Sequence, residues 1–179
     1  SETQLLAMQR GYTAVRYRQL VTALRKAVPD LALTTDIITG FCGETEQDFQ
    51  ATVDLMEEMR FDSAFMFKYS QRSGTQAART MPDDVPDPVK TERLQRVIEL
   101  QEEISRQINA TMVGQQVEVL VEGESRRPAD DGTTTQFGRS RQGKTTIFPE
   151  PVPANRVVRV AVERTTSHTL FGSVSEPVR

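Results

Sequence analysis

Nine consecutive residues, Asp36-Ile37-Ile38-Thr39-Gly40-Phe41-Cys42-Gly43-Glu44, carry two carboxylates, two glycines and the only cysteine of the chain. They read as the end of a buried strand followed by a turn. In an α/β protein the carboxyl end of a parallel strand is where ligands sit, and glycine lets the backbone turn sharply and approach a ligand. Thr45 is placed to cap the helix that follows, and Asp48 completes a capping-box arrangement. A ligand-binding turn and an ordinary βα turn both satisfy this pattern. Metal and nucleophile chemistry is more restricted. With Cys42 the only cysteine and His168 the only histidine, a zinc site or a Cys/His nucleophilic pair is excluded. No intrachain disulfide can form, and an iron–sulfur cluster needs several thiolates. Cys42 reads as a small turn residue and His168 as a surface residue of a final hairpin.

Two further segments carry candidate chemistry. Tyr69-Ser70-Gln71-Arg72-Ser73-Gly74-Thr75-Gln76-Ala77 leaves a second strand at its carboxyl end and is expected to converge with the Gly40–Glu44 turn. Its cation, hydroxyls and glycine suit a phosphate, carboxylate or nucleoside, and equally a solvated loop. Arg139-Ser140-Arg141-Gln142-Gly143-Lys144 holds three cations, with no acid between Gly132 and Pro149 and with Phe137 and Phe148 on either side. Cations beside aromatics on a small barrel suit phosphate contact and base stacking; a solvated hairpin over buried phenylalanines is the alternative. Arg126 and Arg127 extend this patch.

The elements that position these residues follow from periodicity. Thr13 caps a helix whose Tyr17, Leu20, Val21 and Leu24 recur at helical spacing and which Pro29-Asp30 ends. Leu31 to Ile38 has little alternation, as expected of a strand covered on both faces. A helix over about 46–60 buries Phe49, Val53 and Met56. Ser63 to Tyr69 is the next strand, with Phe65, Phe67 and Tyr69 on one face and Ala64, Met66 and Lys68 on the other. This α-β-α-β order implies a parallel sheet with covering helices. Residues 71–87 read as irregular. A long helix starts near Asp87, with Pro88 in its first turn, and Leu94, Val97, Ile98, Gln101, Ile104 and Ile108 form its stripe. Beyond it, 117–121, 136–140, 145–148, 157–162 and 169–174 are five short strands, expected to form a small antiparallel barrel or sandwich. The fold class is therefore α/β followed by all-β, with a boundary near 110: residues 1–109 and 110–179.

Composition sets the outer limits. With 22 Lys and Arg against 25 Asp and Glu the net charge is −3, so binding of nucleic acid through bulk charge is disfavoured and local clusters matter. No apolar run nears the roughly 18 residues of a membrane helix, and no basic-then-apolar signal opens the chain. A reducing, cytoplasmic setting and no membrane partner are expected. The chain does not begin with methionine, and two βα units leave open sheet edges, so a segment of a longer polypeptide is expected.

Three stretches taken together carry a resemblance. They are Met8-Gln9-Arg10-Gly11-Tyr12, Thr35-Asp36-Ile37-Ile38-x-Gly40-Phe41-x-Gly43-Glu44-Thr45-Glu46-x-Asp48-Phe49 and Phe61-Asp62-Ser63-Ala64-Phe65-x-Phe67-x-Tyr69-Ser70-x-Arg72-x-Gly74-Thr75-x-Ala77. With Leu94-Gln95-x-Val97-Ile98-x-Leu100-Gln101 and Val119-Leu120-Val121-Glu122-Gly123, the chain resembles the methylthiotransferases of the radical S-adenosylmethionine superfamily, in the branch acting on tRNA. The resemblance runs along essentially the whole chain. It implies the last β/α units of a partial TIM-like radical barrel followed by a TRAM domain, a small β-barrel that binds RNA. It also implies S-adenosylmethionine and two 4Fe-4S clusters as cofactors of the whole enzyme, one of them on a CxxxCxxC motif absent from this chain. The implied reaction adds a methylthio group to an isopentenyl-modified adenosine beside the anticodon. The tRNA anticodon arm and the missing N-terminal portion of the polypeptide are the implied partners.

By carry-over, Thr35, Asp36, Ile38 and Gly40 lie beside the adenine and ribose of S-adenosylmethionine, with Ile38 against the adenine. Lys68 and Arg72 face the reaction centre or the RNA backbone, and Arg126, Arg139, Arg141 and Lys144 contact RNA. Ile38 as plain core is the competing account. The sequence departs from the family pattern at Cys42, where proline is common, and at Gln71, Ser73 and Gln76, which also replace prolines. Both loops should be looser for it. Arg72 favours the tRNA branch, since the ribosomal-protein branch tends to carry acids there. The isolated chain is not expected to catalyse the reaction. A non-catalytic RNA-binding module, and related methylthiotransferases acting on threonylcarbamoyl-adenosine or on a ribosomal protein, are the rival readings.

Overall fold

A computed structural model of the protein describes residues 1–125 and 132–177. It divides into two compact units, Ser1–Ile104 and Ser105–Arg179. In the first, α1 (Glu2–Ala7) and α2 (Ala14–Ala27) precede β1 (Thr34–Thr39), α3 (Glu46–Met59), β2 (Ser63–Lys68) and α4 (Gln76–Thr80). The long α5 (Asp87–Ala110) begins in the first unit and ends in the second. Local chemistry sets most of these boundaries. Thr13 Oγ1 accepts from the Arg16 amide and starts α2, and Thr45 with Asp48 forms the expected capping box of α3. The segment 71–87 is not wholly irregular, because Thr75 Oγ1 accepts from the Ala78 amide and nucleates α4. At the far end of α3, Arg60 takes a left-handed conformation (φ 46°). There the Arg25 guanidinium donates to the carbonyls of Met59 and Arg60, satisfying acceptors that a helix end leaves open.

β1 and β2 pair in parallel, Thr34 opposite Ser63 through Thr39 opposite Lys68, with α3 as the crossover. This is the right order for a βαβ unit. The expectation that the first strand is covered on both faces does not hold in this chain. Thr39, Lys68 and their face-mates meet α5, whereas Asp36 and Ile38 share the other face with Phe65 and Phe67. That face is open: Phe65 is 64% exposed, Phe67 53% and Ile38 37%. A core of Val21, Met59 and Phe61, with Tyr17, Leu33 and Leu55 against it, closes the helical side. Leu20 is half exposed, so the predicted α2 stripe is only partly used.

The second unit is a closed five-stranded barrel of β3 (Gln116–Glu124), β4 (Gln136–Ser140), β5 (Thr145–Phe148), β6 (Val157–Thr165) and β7 (Thr169–Pro177), ordered β3-β4-β5-β7-β6. The sequence expectation of a purely antiparallel barrel is corrected at one seam. β5 and β7 run parallel, because β6 intervenes in sequence and pairs with both β3 and β7. Alternation places Val117, Val119, Val121, Val158, Val160, Val162 and Leu170 inside with Met112 and Phe148. Register shifts between Val121 and Gly123, and between Val162 and Arg164, bend the strands so that the sheet can close. Closure presses backbones together: a Cβ on Gly172 would stand 1.9 Å from the Ala161 carbonyl oxygen, and one on Gly138 would stand 2.2 Å from that of Leu120.

Because those obstacles are backbone atoms of a neighbouring strand, Gly172→Ala should destabilise the barrel by about 2 kcal/mol or more. Urea unfolding followed by circular dichroism reads this directly, and Gly11→Ala, with no atom within 4 Å of the added Cβ and no left-handed φ, serves as the control.

Candidate functional site

The turn after β1 is tied down from three sides. Gly40 has φ +73°, and its amide donates to Glu44 Oε1 at 2.8 Å. The Gly43 amide donates to Asp84 at 2.7 Å. Arg93 of α5 is buried and donates to both the carbonyl and Oε1 of Glu44, at 3.0 and 2.9 Å, and reaches Glu46 at 3.2 Å. Arg96 continues the network to Glu46 and lies 4.6 Å from the centroid of the buried Phe49 ring. Burial pushes the Glu44 carboxyl above the ordinary glutamate range, more than the Gly40 amide and the Arg93 guanidinium pull it down. Hydrogen bonding by Arg96 lowers Glu46. Gly40 is needed sterically as well, since a Cβ there would fall 2.3 Å from Lys90 Cγ. Lys90 in turn is paired with Asp83 and sits 5.1 Å from the Tyr69 ring centroid. Cys42 is buried in this turn.

Two clefts open along β1. The smaller, of about 170 Å³, is lined by Thr35, Asp36 and Ile38 together with Arg10, Tyr12 and Gln4, among others. The larger, of about 310 Å³, lies at the carboxyl ends of β1 and β2, where Phe41 and Tyr69 meet edge to face at 4.9 Å. It shares Met8, Arg10 and Ile38 with the first and adds Gln76 and Ala77, so the two predicted loops do converge. Thr35, Asp36 and Ile38 are thus brought together. Gly40 lines neither cleft, and its amide is already engaged. Asp36 and Thr35 make no side-chain hydrogen bond among the described residues, and the buried Gln4 Oε1 lacks a partner. Arg10, which lines both clefts, was missed as a site residue. Its signal was the Met8–Tyr12 motif, whose place beside the clefts along β1 only the fold makes evident.

The expected cations separate into different environments. Lys68, expected to face the reaction centre or the RNA backbone, lies by strand alternation on the face opposite Ile38, and its Nζ is 2.8 Å from Asp87. Arg72 is exposed in the loop after β2, with its carbonyl accepting from Thr75 Oγ1. Arg126 and Arg127 lie outside the described residues. The hairpin cluster is not free of acids in three dimensions: Arg139 stands 3.7 Å from Glu122 and Arg141 3.5 Å from Glu118, both from β3. Lys144 immediately precedes β5, and its amide donates to Ser140 Oγ. Phe148, read as a flanking aromatic, points into the barrel and is 1% exposed; only Phe137 remains partly open. His168 is exposed in the turn between β6 and β7.

Residues 110–175 match the TRAM domain. Along nearly the whole chain the sequence matches proteins named tRNA-2-methylthio-N(6)-dimethylallyladenosine synthase. The one from Porphyromonas gingivalis is 47% identical over 98% of this chain, that from Chlorobium phaeobacteroides 48% over 97%, and that from Moorella thermoacetica 48% over 93%. Over this stretch the chain is similar to these synthases, and it spans 37–39% of their length. Among the described residues no helix is long and apolar enough to cross a membrane.

The raised Glu44 carboxyl fixes the sign of a pH effect. The folded state holds this proton more tightly than the unfolded state, so its contribution to stability is full below the ordinary glutamate value. That contribution is lost as pH rises through the folded value. Glu44→Gln keeps an acceptor for Gly40 but cannot titrate. Its stability relative to the wild type should therefore improve as pH is raised from about 4.5. Denaturant midpoints across that range check this, and a relative loss with rising pH would contradict it.

Proposed function

We propose that this chain is the C-terminal portion of a radical S-adenosylmethionine methylthiotransferase acting on tRNA. Its first unit supplies part of the cofactor pocket, and its barrel supplies the RNA-binding domain. The observation that carries this reading is the 45–48% identity to dimethylallyladenosine synthases over 93–99% of the chain. Their name favours isopentenyl-modified adenosine as substrate over threonylcarbamoyl-adenosine or a ribosomal protein. The parallel β1-α3-β2 unit and its open face of Ile38, Phe65 and Phe67 support the reading of a partial TIM-like barrel, whose inner wall is completed by strands this chain does not span.

The cleft residues fit a nucleoside. Ile38 presents apolar surface for a base, Asp36 on the same face offers an unengaged carboxylate for a ribose, and Thr35 lines the cleft from the neighbouring position. S-adenosylmethionine bound there would supply the carbon radical on reductive cleavage. The residues of this chain orient it: the Glu44–Arg93 pair holds the turn, and Gly40 permits the close passage of Lys90. A cluster does not fit these residues. Cys42 is buried, and no group of three His, Cys, Asp or Glu that could hold a metal ion occurs among the described residues. The clusters are accordingly assigned to the part of the synthase beyond this chain, and the chain alone is predicted to be inactive.

Full-length protein, reconstituted anaerobically, should convert the isopentenyl-adenosine of tRNA to its 2-methylthio form in the presence of S-adenosylmethionine. Mass spectrometry of the released nucleosides reads the product. Ile38→Asp should raise the KM for S-adenosylmethionine by roughly tenfold or more, because a carboxylate would replace the apolar surface beneath the base. Methylthiolation of a different nucleoside or of a protein would overturn the substrate assignment, and an unchanged KM would overturn that of the cleft.

A further inference from the structure

The barrel carries a surface feature distinct from the basic hairpin. The strand registers align Phe137 with Ile147, Ile147 with Phe171 and Phe171 with Arg164 across four neighbouring strands, β4, β5, β7 and β6. Alternation places all four on the outer wall, since Gln136, Gly138, Thr146, Phe148 and Leu170 beside them are buried. Phe137, Ile147 and Phe171 are half-buried and Arg164 is exposed. At about 4.8 Å between strands the row runs about 14 Å. Alongside it Arg139, Thr145 and Thr169 form a second outward row in register, polar where the first is apolar.

Arg164 differs from the other arginines of this wall. Arg139, Arg141 and Arg159 each have a glutamate carboxylate within 4.0 Å. Arg164 has no carboxylate partner among the described residues. Its guanidinium carbon instead lies 3.8 Å from the centroid of the Phe171 ring, and neighbouring Glu163 is taken up by Ser173 Oγ at 2.7 Å. A guanidinium stacked on a ring keeps its charge and its edge N–H groups and adds a flat π-surface.

Resting on the reading of the barrel as an RNA-binding domain, we propose that Phe137, Ile147, Phe171 and Arg164 form a base-stacking ledge. Its occupant is an unpaired RNA nucleobase with its flanking phosphate. The apolar row takes the base, and the uncompensated guanidinium donates to the phosphate oxygens. Neither surface requires base identity, so recognition is of unpaired, sequence-tolerant RNA. The acid-matched Arg139 and Arg141 contribute less than Arg164.

The test uses the 179-residue chain and three fluorescent probes measured by anisotropy at several salt concentrations: an oligoadenylate, an abasic oligoribose-phosphate of equal length, and the same oligoadenylate annealed to oligouridylate. Wild type should prefer the single strand over the abasic probe by roughly tenfold or more, the range of one stacked base. Phe171→Leu, which keeps apolar bulk, should remove most of that preference while leaving the salt slope unchanged. Arg164→Gln should lower the slope of log affinity against log salt by about 0.7, one phosphate contact on a single strand. Melting temperatures confirm that both variants fold. If the chain binds RNA but these variants behave as wild type while Arg139→Gln weakens binding, the ledge is wrong and the RNA role stands. Preference for the duplex also overturns the ledge. If no probe binds, the RNA-binding reading fails and the ledge with it.

Discussion

One buried ion pair ties the turn after β1 to the long helix of the first unit. Arg93, deep on the long α5, places its guanidinium against both the backbone and the carboxylate of Glu44. A charge taken out of water is tolerated only when it is paired and hydrogen-bonded. Here the same Glu44 oxygen also receives the Gly40 amide. The end of β1 and the start of α3, neighbours in sequence, are thereby joined to α5 through Arg93, 49 residues beyond Glu44. The cleft-lining Thr35, Asp36 and Ile38 precede this anchor directly, so their positions are set by it. Phe49 backs the pair from the core, with the Arg93 guanidinium 5.4 Å from its ring centroid.

The second unit is organised by a different constraint. A five-stranded barrel has almost no interior volume to spare, and valines at alternate positions of β3 and β6 fill it. What faces outward is then free to vary chemically. The outer wall divides into a region where arginines and glutamates neutralise each other across strands and a row where aromatic and aliphatic side chains meet an arginine with no carboxylate partner among the described residues. For a chain of net charge −3, contact with a polyanion must rest on such local arrangements.

Features set by neighbours in the chain were legible from the residues. The Thr45–Asp48 capping box, the glycine turn, the α5 stripe and the alternation of Val117, Val119 and Val121 all arise from contacts within a few positions. The failures arise from pairings across long separations. Nothing near Arg139 or Arg141 in sequence reveals that register brings Glu122 and Glu118 beside them, and nothing near Lys68 points to Asp87. The parallel β5–β7 seam depends on how β6 crosses the barrel. Whether Phe148 stacks on a base or is buried stays open until the phase of β5 is known, because a strand of four residues leaves its phase undetermined. Arg93 reads as an ordinary helix arginine until the turn it binds is in place.

The buried anchor is tested most directly by amide hydrogen exchange at Gly40, followed by NMR in the chain and in Arg93→Met. Strong protection of Gly40 is expected in the wild type. Removing one partner of a buried pair should accelerate its exchange by roughly a hundredfold or more, with Val119 and Val160 in the barrel unaffected. Free exchange at Gly40 in the wild type, or protection that survives the loss of Arg93, would contradict the anchoring role of the pair.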